Sequence, residues 1–174
     1  SLRKSPGFTL VAAITLALGI GANTAIFSVV NAVLLRPLPL SNPGQLVRIW
    51  ESNVERGWPT FATSHPNFLD WRAQAKSFQA MAAMDNIGLT WTSGGEAEVL
   101  LGMGVTATFL PTLEVTPILG RNFLHEEDRP RGNTRVVILG HGFWQRAFGG
   151  DPGAIGKTMT LNAQPYTIVG VLPP

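Results

Sequence analysis

A glycine-rich segment between Gly150 and Thr158, with the sequence GDPGAIGKT, resembles a phosphate-binding loop. In such a loop, backbone N–H groups between a strand and a helix cradle phosphate, and a lysine approaches its charge. Here five residues, where the motif has four, separate Gly150 from Gly156, and Asp151 would repel phosphate. The patterns around the segment predict a helix before it and a strand after it, the reverse of the required order. We therefore predict a turn that binds no nucleotide.

A second glycine pair occurs in Thr92–Glu96, whose sequence TSGGE is similar to the signature loop of ABC-type ATPases, Leu-Ser-Gly-Gly-Gln. The signature loop opens a helix, whereas alternating apolar residues on both sides of Gly94-Gly95 predict two strands. Two glycines between such runs are typical of a two-residue hairpin. We interpret this segment as a hairpin turn.

The other residues capable of catalysis or metal binding are scattered. The histidines are His65, His125 and His141, none at a metal-ligand spacing, and the chain has no cysteine. Ser64, His65 and Asp70 lack the Gly-x-Ser-x-Gly context of a hydrolase, so Ser64 is interpreted as a helix cap. The acidic run at 126–128 lacks the alternating ligands of a calcium loop and is interpreted as solvated. We predict no catalytic, cofactor or metal site, and no enzyme.

The distribution of charge is uneven. The formal net charge is +2, and no Asp, Glu, Lys or Arg occurs between Lys4 and Arg36. Such a small and scattered positive charge does not favour a nucleic-acid surface. The uncharged stretch points to a different partner, the lipid bilayer.

Phe8 to Leu35 forms one apolar run without a charged residue. A helix needs about 20 such residues to cross a bilayer core of about 30 Å. A cleaved signal peptide is the alternative, with Arg3 and Lys4 as its charged start, but its apolar core would span only about 7–15 residues. The length therefore favours a membrane span. Its orientation stays open, since two basic residues precede it and Arg36 and Arg48 follow it.

Small side chains recur along one face of this predicted helix. They are Ala17, Gly21, Ala25, Ser28 and Ala32. At 100° per residue they form one stripe, with Thr24 and Asn31 along its edge. Small residues allow helices to approach closely in lipid, so we predict that this stripe packs against another membrane helix. The alternative is that it reflects the ordinary composition of membrane helices.

The remainder predicts an α+β domain. Pro37, Pro39 and Pro43 indicate a linker, which gives a helix-and-linker region at 1–40 and a domain at 41–174. The predicted elements are strands at 46–51, 88–92, 97–105, 136–139, 158–161 and 166–171, and helices at 64–78, 106–110 and 141–148. A charged surface loop is predicted at 125–130 and a turn at 149–153. Thr106 is predicted to cap the short helix, and the helix at 64–78 is predicted to pack on a sheet. Interleaved helices and hairpins favour the α+β class.

The opening and closing segments resemble those of MacB/FtsX-type ABC transporter permeases, especially the duplicated orphan permeases abundant in acidobacteria. RKSPGFTLVAAITLALGIGANTAIFSVVNAVLLRPLP is similar to their first membrane helix. VVILGHGFWQRAFGGDPGAIGKTMTLNAQPYTIVGVLPP is similar to the end of their MacB-like periplasmic core domain, and SHPNFLDWRAQAKSF and PILGRNF also fit it. One departure is Asn162-Ala163, where such hairpins usually carry Asn-Gly.

The resemblance implies a permease fragment in the bacterial inner membrane, with its N-terminus cytoplasmic and its domain periplasmic. It implies mechanical transmission of motion driven by a separate ABC ATPase subunit, with other permease helices or a second permease copy as partners. It carries no catalytic residue to this chain, and we expect a longer native protein. Three further membrane helices beyond Pro174 would favour a permease. The alternative is a membrane-tethered periplasmic binding or scaffold module without transport activity.

Overall fold

The computed structural model describes residues 6–31, 40, 42–93, 96–128 and 134–174. The chain divides into two compact units, Ser1–Pro43 and Gly44–Pro174. Its helices are α1 (Pro6–Val30), α2 (His65–Gln74), α3 (Phe109–Thr112) and α4 (His141–Phe148). Its strands are β1 (Glu51–Asn53), β2 (Trp58–Phe61), β3 (Met84–Ser93), β4 (Glu96–Val105), β5 (Leu119–Gly120), β6 (Val136–Leu139), β7 (Thr158–Leu161) and β8 (Gln164–Val171).

The first unit contains the apolar helix α1. Its segment Gly7–Val30 has a mean hydropathy of 2.0, and none of it is buried within the protein. At about 1.5 Å rise per residue, this helix is long enough to cross a bilayer core. The part of the predicted span after Asn31 lies outside the described residues, as do Arg3, Lys4 and the prolines Pro37 and Pro39 of the linker.

The second unit is built on a six-stranded sheet in the order β4-β3-β7-β8-β5, with β6 paired to β8. Neighbouring strands run antiparallel except β6 and β8, which are parallel. A parallel pair requires a crossover connection, and α4 lies within it. A separate small sheet pairs β1 with β2. This combination confirms the α+β class.

The core lies between α4 and the middle of the large sheet. Leu161, Ile168 and Val171 are the largest fully buried side chains, and Trp144 from α4 packs among them. The indole Nε1 of Trp144 donates to the Asp151 carbonyl oxygen at 3.0 Å, so its polar atom is satisfied where the ring is buried. This bond ties the end of α4 to the following turn.

The local patterns with the clearest periodicity are confirmed. β6, α4 and β7 have the predicted bounds, and the two strands flanking Gly94-Gly95 form one long hairpin, although those two glycines lie outside the described residues. Pro165 stands near the start of β8, as predicted. Asn162 and Ala163, between β7 and β8, both have positive φ values, 49° and 58°. Positive φ at both central positions defines a type I′ hairpin turn.

Two predicted elements have different bounds in the structure. Regular strand begins only at Glu51, because residues 46–50 have no ladder partner in the described chain. Helix α2 ends at Gln74, so Ala75 is its C-cap and Phe78 lies beyond it. Its buried residue Phe68 lies outside the core cluster of the large sheet, and α2 is instead hydrogen-bonded to β1 of the small sheet.

The predicted cap of the short helix is also wrong. Thr108, not Thr106, is the residue before α3. The Thr106 hydroxyl instead accepts a hydrogen bond from the Ala83 N–H at 3.1 Å, which continues the hairpin past its last strand pair. Thr106 therefore joins two chain segments rather than capping a helix.

Candidate functional site

The small-residue stripe lies on α1, and its described members are exposed. They are Ala17, Gly21, Ala25 and Ser28; Ala32 lies outside the described residues. A methyl group added at Gly21 would meet no atom within 4 Å. The stripe is thus an open face of the helix on which another helix could pack closely.

Ser28 contributes less to this face than its polarity suggests. Its hydroxyl donates to the Thr24 carbonyl oxygen at 2.8 Å, one turn earlier in the same helix. A hydroxyl bonded in this way is satisfied without a partner helix. Close packing at the stripe would therefore depend mainly on Ala17, Gly21 and Ala25.

In the segment from Gly150 to Thr158, the Asp151 carboxylate binds the groups that could otherwise bind a phosphate. The Gly153 N–H donates to Asp151 Oδ1 at 2.8 Å, and Lys157 Nζ lies 3.1 Å from Asp151 Oδ2. These two interactions, the N–H first, hold the pKa of the Asp151 carboxyl below its ordinary value. The segment follows α4 and precedes β7, and the Gly156 N–H donates to Ile168 O. The lysine and the amides that a phosphate would need are already bonded within the protein.

The residues that resembled a hydrolase triad have structural roles. Ser64 Oγ accepts from the Asn67 N–H at 3.3 Å, which confirms the predicted cap of α2. The Ser64 N–H and Asn67 Nδ2 both donate to Glu51 Oε1, at 3.3 and 2.8 Å. These bonds attach α2 to β1.

The three histidines lie on separate elements. His65 begins α2, His125 begins a 3₁₀ turn over His125–Asp128, and His141 begins α4, where its ring meets Trp144 edge-on at 5.6 Å. Within the described ranges, no three acidic or histidine side chains converge as metal ligands.

The acidic segment is not simply solvated, which corrects the sequence interpretation. Glu127 Oε2 and Oε1 accept from the Arg121 guanidinium at 2.9 and 2.6 Å, and only 6% of the Glu127 side chain is exposed. The guanidinium holds the pKa of the Glu127 carboxyl below its ordinary value. Asp128 Oδ2 accepts from the Ala107 N–H at 3.2 Å. These acids fasten the loop to the segment beside β5 and to the end of the hairpin.

An apolar groove of about 500 Å³ was missed from the sequence. Its lining residues are Ile49, Trp71, Gln74, Ala75, Phe78 and Met81. The helical spacing of Trp71, Ala75 and Phe78 was a partial signal, but it predicted a longer helix. Because the helix ends at Gln74, these side chains instead line a surface concavity.

An ion pair joins the β3–β4 hairpin to α4. Arg146 donates to both carboxylate oxygens of Glu98 on β4, at 3.0 and 2.6 Å. Below it, Trp91 on β3 meets Phe143 edge-on with a centroid distance of 5.1 Å. The hairpin and α4 are therefore connected both at the surface and in the apolar layer beneath.

An α+β sheet domain on the same chain as an apolar helix of membrane-spanning length defines a class of membrane-associated domain. The chain belongs to the family of MacB-like periplasmic core domains, whose family model matches residues 9–174. The domain is of the type found in MacB/FtsX-type ABC transporter permeases. No curated protein matches the chain.

Two solved structures share the fold. The periplasmic region of MacB from Actinobacillus actinomycetemcomitans superimposes with a TM-score of 0.57 at 14% identity, over 71% of this chain and 57% of that structure. The extracellular domain of the noncanonic ABC-type transporter YknZ from Gram-positive bacteria gives a TM-score of 0.53 at 17% identity, over 62% of this chain and 56% of that structure. The chain thus matches just over half the length of either structure.

Proposed function

We propose that this chain is part of an ABC transporter permease whose periplasmic domain transmits motion driven by ATP hydrolysis in a separate ATPase. The family match over residues 9–174 carries the proposal. It is supported by the segment at 150–158, where Lys157 is paired with Asp151 and is therefore not free to bind a phosphate. A segment at 150–158 that holds no nucleotide would suit a part moved by another subunit.

Mechanical transmission requires elements that move together. The contacts of α4 support such coupled motion, since Arg146 binds Glu98 on β4 and Phe143 packs on Trp91 of β3. Trp144 extends the same layer into the buried core. A displacement applied at α4 would therefore carry the long hairpin with it.

The proposed location is the inner membrane, with α1 as the anchor, the N-terminus cytoplasmic and the domain periplasmic. The apolar length of Gly7–Val30 supports the anchor, and the family supports the side. The full chain should stay in the membrane pellet after alkaline carbonate washing. Alkaline phosphatase fused after Pro174 should be active, whereas a reporter that works only in the cytoplasm should be silent there. Release by carbonate, or the reverse reporter pattern, would contradict the proposed location.

The separate-ATPase proposal has a direct test. Titration of magnesium ATP against the full chain in detergent should give no saturable binding. Micromolar binding that is lost in Lys157→Ala would show that the segment at 150–158 holds nucleotide and would contradict the proposal.

The stripe on α1 is proposed to pack against other permease helices or a second permease copy. Gly21→Leu should leave membrane insertion intact, because leucine is compatible with lipid, but it should weaken this assembly by separating the helix backbones. Val29→Leu, about 80° around the helix, is the control. Co-purification in mild detergent measures both variants. Equal assembly of both with the parent would mean that α1 is only an anchor.

The apolar groove favours a second candidate, a membrane-tethered periplasmic binding or scaffold module. A fluorescent apolar probe should then bind the full chain saturably, and Phe78→Asp should abolish this binding. Phe78 is a suitable site because it lies beyond α2 and is exposed. Absence of saturable binding would leave the permease role as the better account.

A further inference from the structure

Strand β4 forms an edge of the large sheet. It is ten residues long, it is the terminal strand in the sheet order, and its pairing with β3 runs from Ser93↔Glu96 to Met84↔Val105 without a bulge. Proteins usually protect such an edge with charges, prolines, bulges or a covering segment. β4 contains no proline, and the carboxylate of Glu98 is engaged by Arg146. Glu96 is a further charge at the first residue of the strand, but from Val99 to Val105 the described edge has no charge, proline or bulge.

The outer face of the same strand is apolar. Val99, Leu101 and Met103 are 75%, 97% and 51% exposed. Leu101 is paired with Gly88 on β3, which has no side chain to cover it. An exposed edge and an exposed apolar stripe thus coincide on one strand.

The hydrogen-bond pattern determines which β4 residues have backbone groups available to pair with a further strand. In an antiparallel pair, alternate residues direct their N–H and C=O groups to the same neighbour. The Thr106 N–H donates to Ala83 O, so the even-numbered residues of β4 bond to β3. On β3, Thr90 directs its N–H and C=O to Asn162 instead of β4, in agreement with this alternation. The odd-numbered residues of β4, from Ala97 to Val105, therefore direct their backbone groups outward.

We propose that the β4 edge pairs with β4 of a second copy of this chain, antiparallel and centred on Leu101. A two-fold axis at Leu101 places Leu101 opposite its own counterpart and Val99 opposite Met103 of the second copy. All five outward-directed residues then find a hydrogen-bonding partner, because Leu101 is the middle one of the odd-numbered set. A two-fold axis through any other odd-numbered residue would leave outward groups unpaired.

Charge and size both agree with this register. Glu98 would face Gly104 of the second copy and Glu96 would face Thr106, so no two carboxylates are opposed. Leu100 would face Gly102, which contributes no side chain of its own. On the other face the apolar stripe meets itself, as an isologous interface requires.

One pair of strand edges is a small interface for two freely diffusing proteins. Tethering both copies in one membrane raises their effective concentration, which allows a small contact to form. In this respect the inference rests on the proposed anchoring by α1, although not on transport. Failure of anchoring and failure of pairing are distinguishable, because the first releases the protein from carbonate-washed membranes and the second leaves monomer in the pellet.

Cysteine crosslinking of the full chain in membranes tests the register, since the chain has no native cysteine. In Leu101→Cys, the Cα atoms of the two cysteines would lie about 5.5 Å apart, which is within the range for a disulfide. Val99→Cys places them four residues out of register, about 14 Å apart at about 3.4 Å per residue. Oxidation with copper phenanthroline should give several-fold more disulfide-linked dimer from Leu101→Cys than from Val99→Cys. Both sites are highly exposed, so random collision would crosslink them equally.

A double variant gives a second test of the same register. Val99→Cys combined with Met103→Cys should form several-fold more dimer than either single variant, because these positions face each other across the proposed axis. Equal crosslinking of Leu101→Cys and Val99→Cys would overturn the register. Monomer alone in every variant would overturn self-pairing and leave the edge to another segment or protein.

Discussion

The hairpin turn between β7 and β8 provides a test in which a substitution should stabilise the protein. Ala163 has a φ of 58°, in the left-handed region. The turn cannot easily relax, because the Asn162 N–H donates to Thr90 O and Asn162 Oδ1 accepts from the Thr90 N–H, both at 2.8 Å. These bonds fasten the turn to β3 and hold Ala163 in its strained conformation. We therefore expect Ala163→Gly to be stabilising.

The magnitude follows from two opposing effects. A left-handed conformation costs a residue with a Cβ atom about 1–2 kcal/mol, and glycine avoids this cost. Glycine also makes the unfolded chain more flexible, which reverses about 0.4–1 kcal/mol of the gain. The expected net increase in the free energy of unfolding is about 0.5–1 kcal/mol. With an m value of about 2 kcal/mol per M of urea, this increase should raise the midpoint of urea unfolding by about 0.3–0.5 M.

Tryptophan fluorescence of the full chain in mild detergent measures this change. All five tryptophans lie between Trp50 and Trp144, so their emission reports on the domain and not on α1. Ala97→Gly is a suitable control, since Ala97 is an exposed strand residue with no positive φ. Glycine there should destabilise by about 0.5–1 kcal/mol. A loss of stability in Ala163→Gly equal to that of the control would refute the argument from backbone strain.

Two further predictions concern the stability of the domain. Gly120→Ala should destabilise by about 3–5 kcal/mol, because its φ is 74° and a Cβ atom would lie 2.1 Å from the Val169 carbonyl oxygen. Gly142→Ala, in open space on α4, should be neutral or stabilising in the same urea assay. Glu127→Gln should lower stability by about 1–2 kcal/mol at neutral pH, since it removes a charged bond to Arg121. Because the folded carboxyl pKa is lowered from 4.5, this difference should be full above pH 4.5 and shrink as the pH falls below it. A constant difference down to pH 3 would refute the Glu127 assignment.

The sequence by itself determined the elements whose signals are local. The uncharged run gave α1, and the short apolar segments gave β6, α4 and β7 with their observed bounds. The spacing and the flanking patterns around Gly150 and Lys157 predicted a turn between a helix and a strand, and α4 and β7 flank that segment. The small-residue stripe is equally readable, but whether it packs depends on a second helix.

Only the tertiary structure decided features that depend on a distant partner. A strand needs a neighbour to bond with, and residues 46–50 find none in the described chain despite their strand-like composition. Glu127 is buried because Arg121 lies beside it, and Ala163 is held left-handed because β3 fixes the adjacent Asn162. Leu101 is exposed because β4 is the last strand of its sheet and Gly88 leaves it uncovered. Apolar periodicity tells which face of an element avoids water, but the order of strands decides which faces and edges remain open.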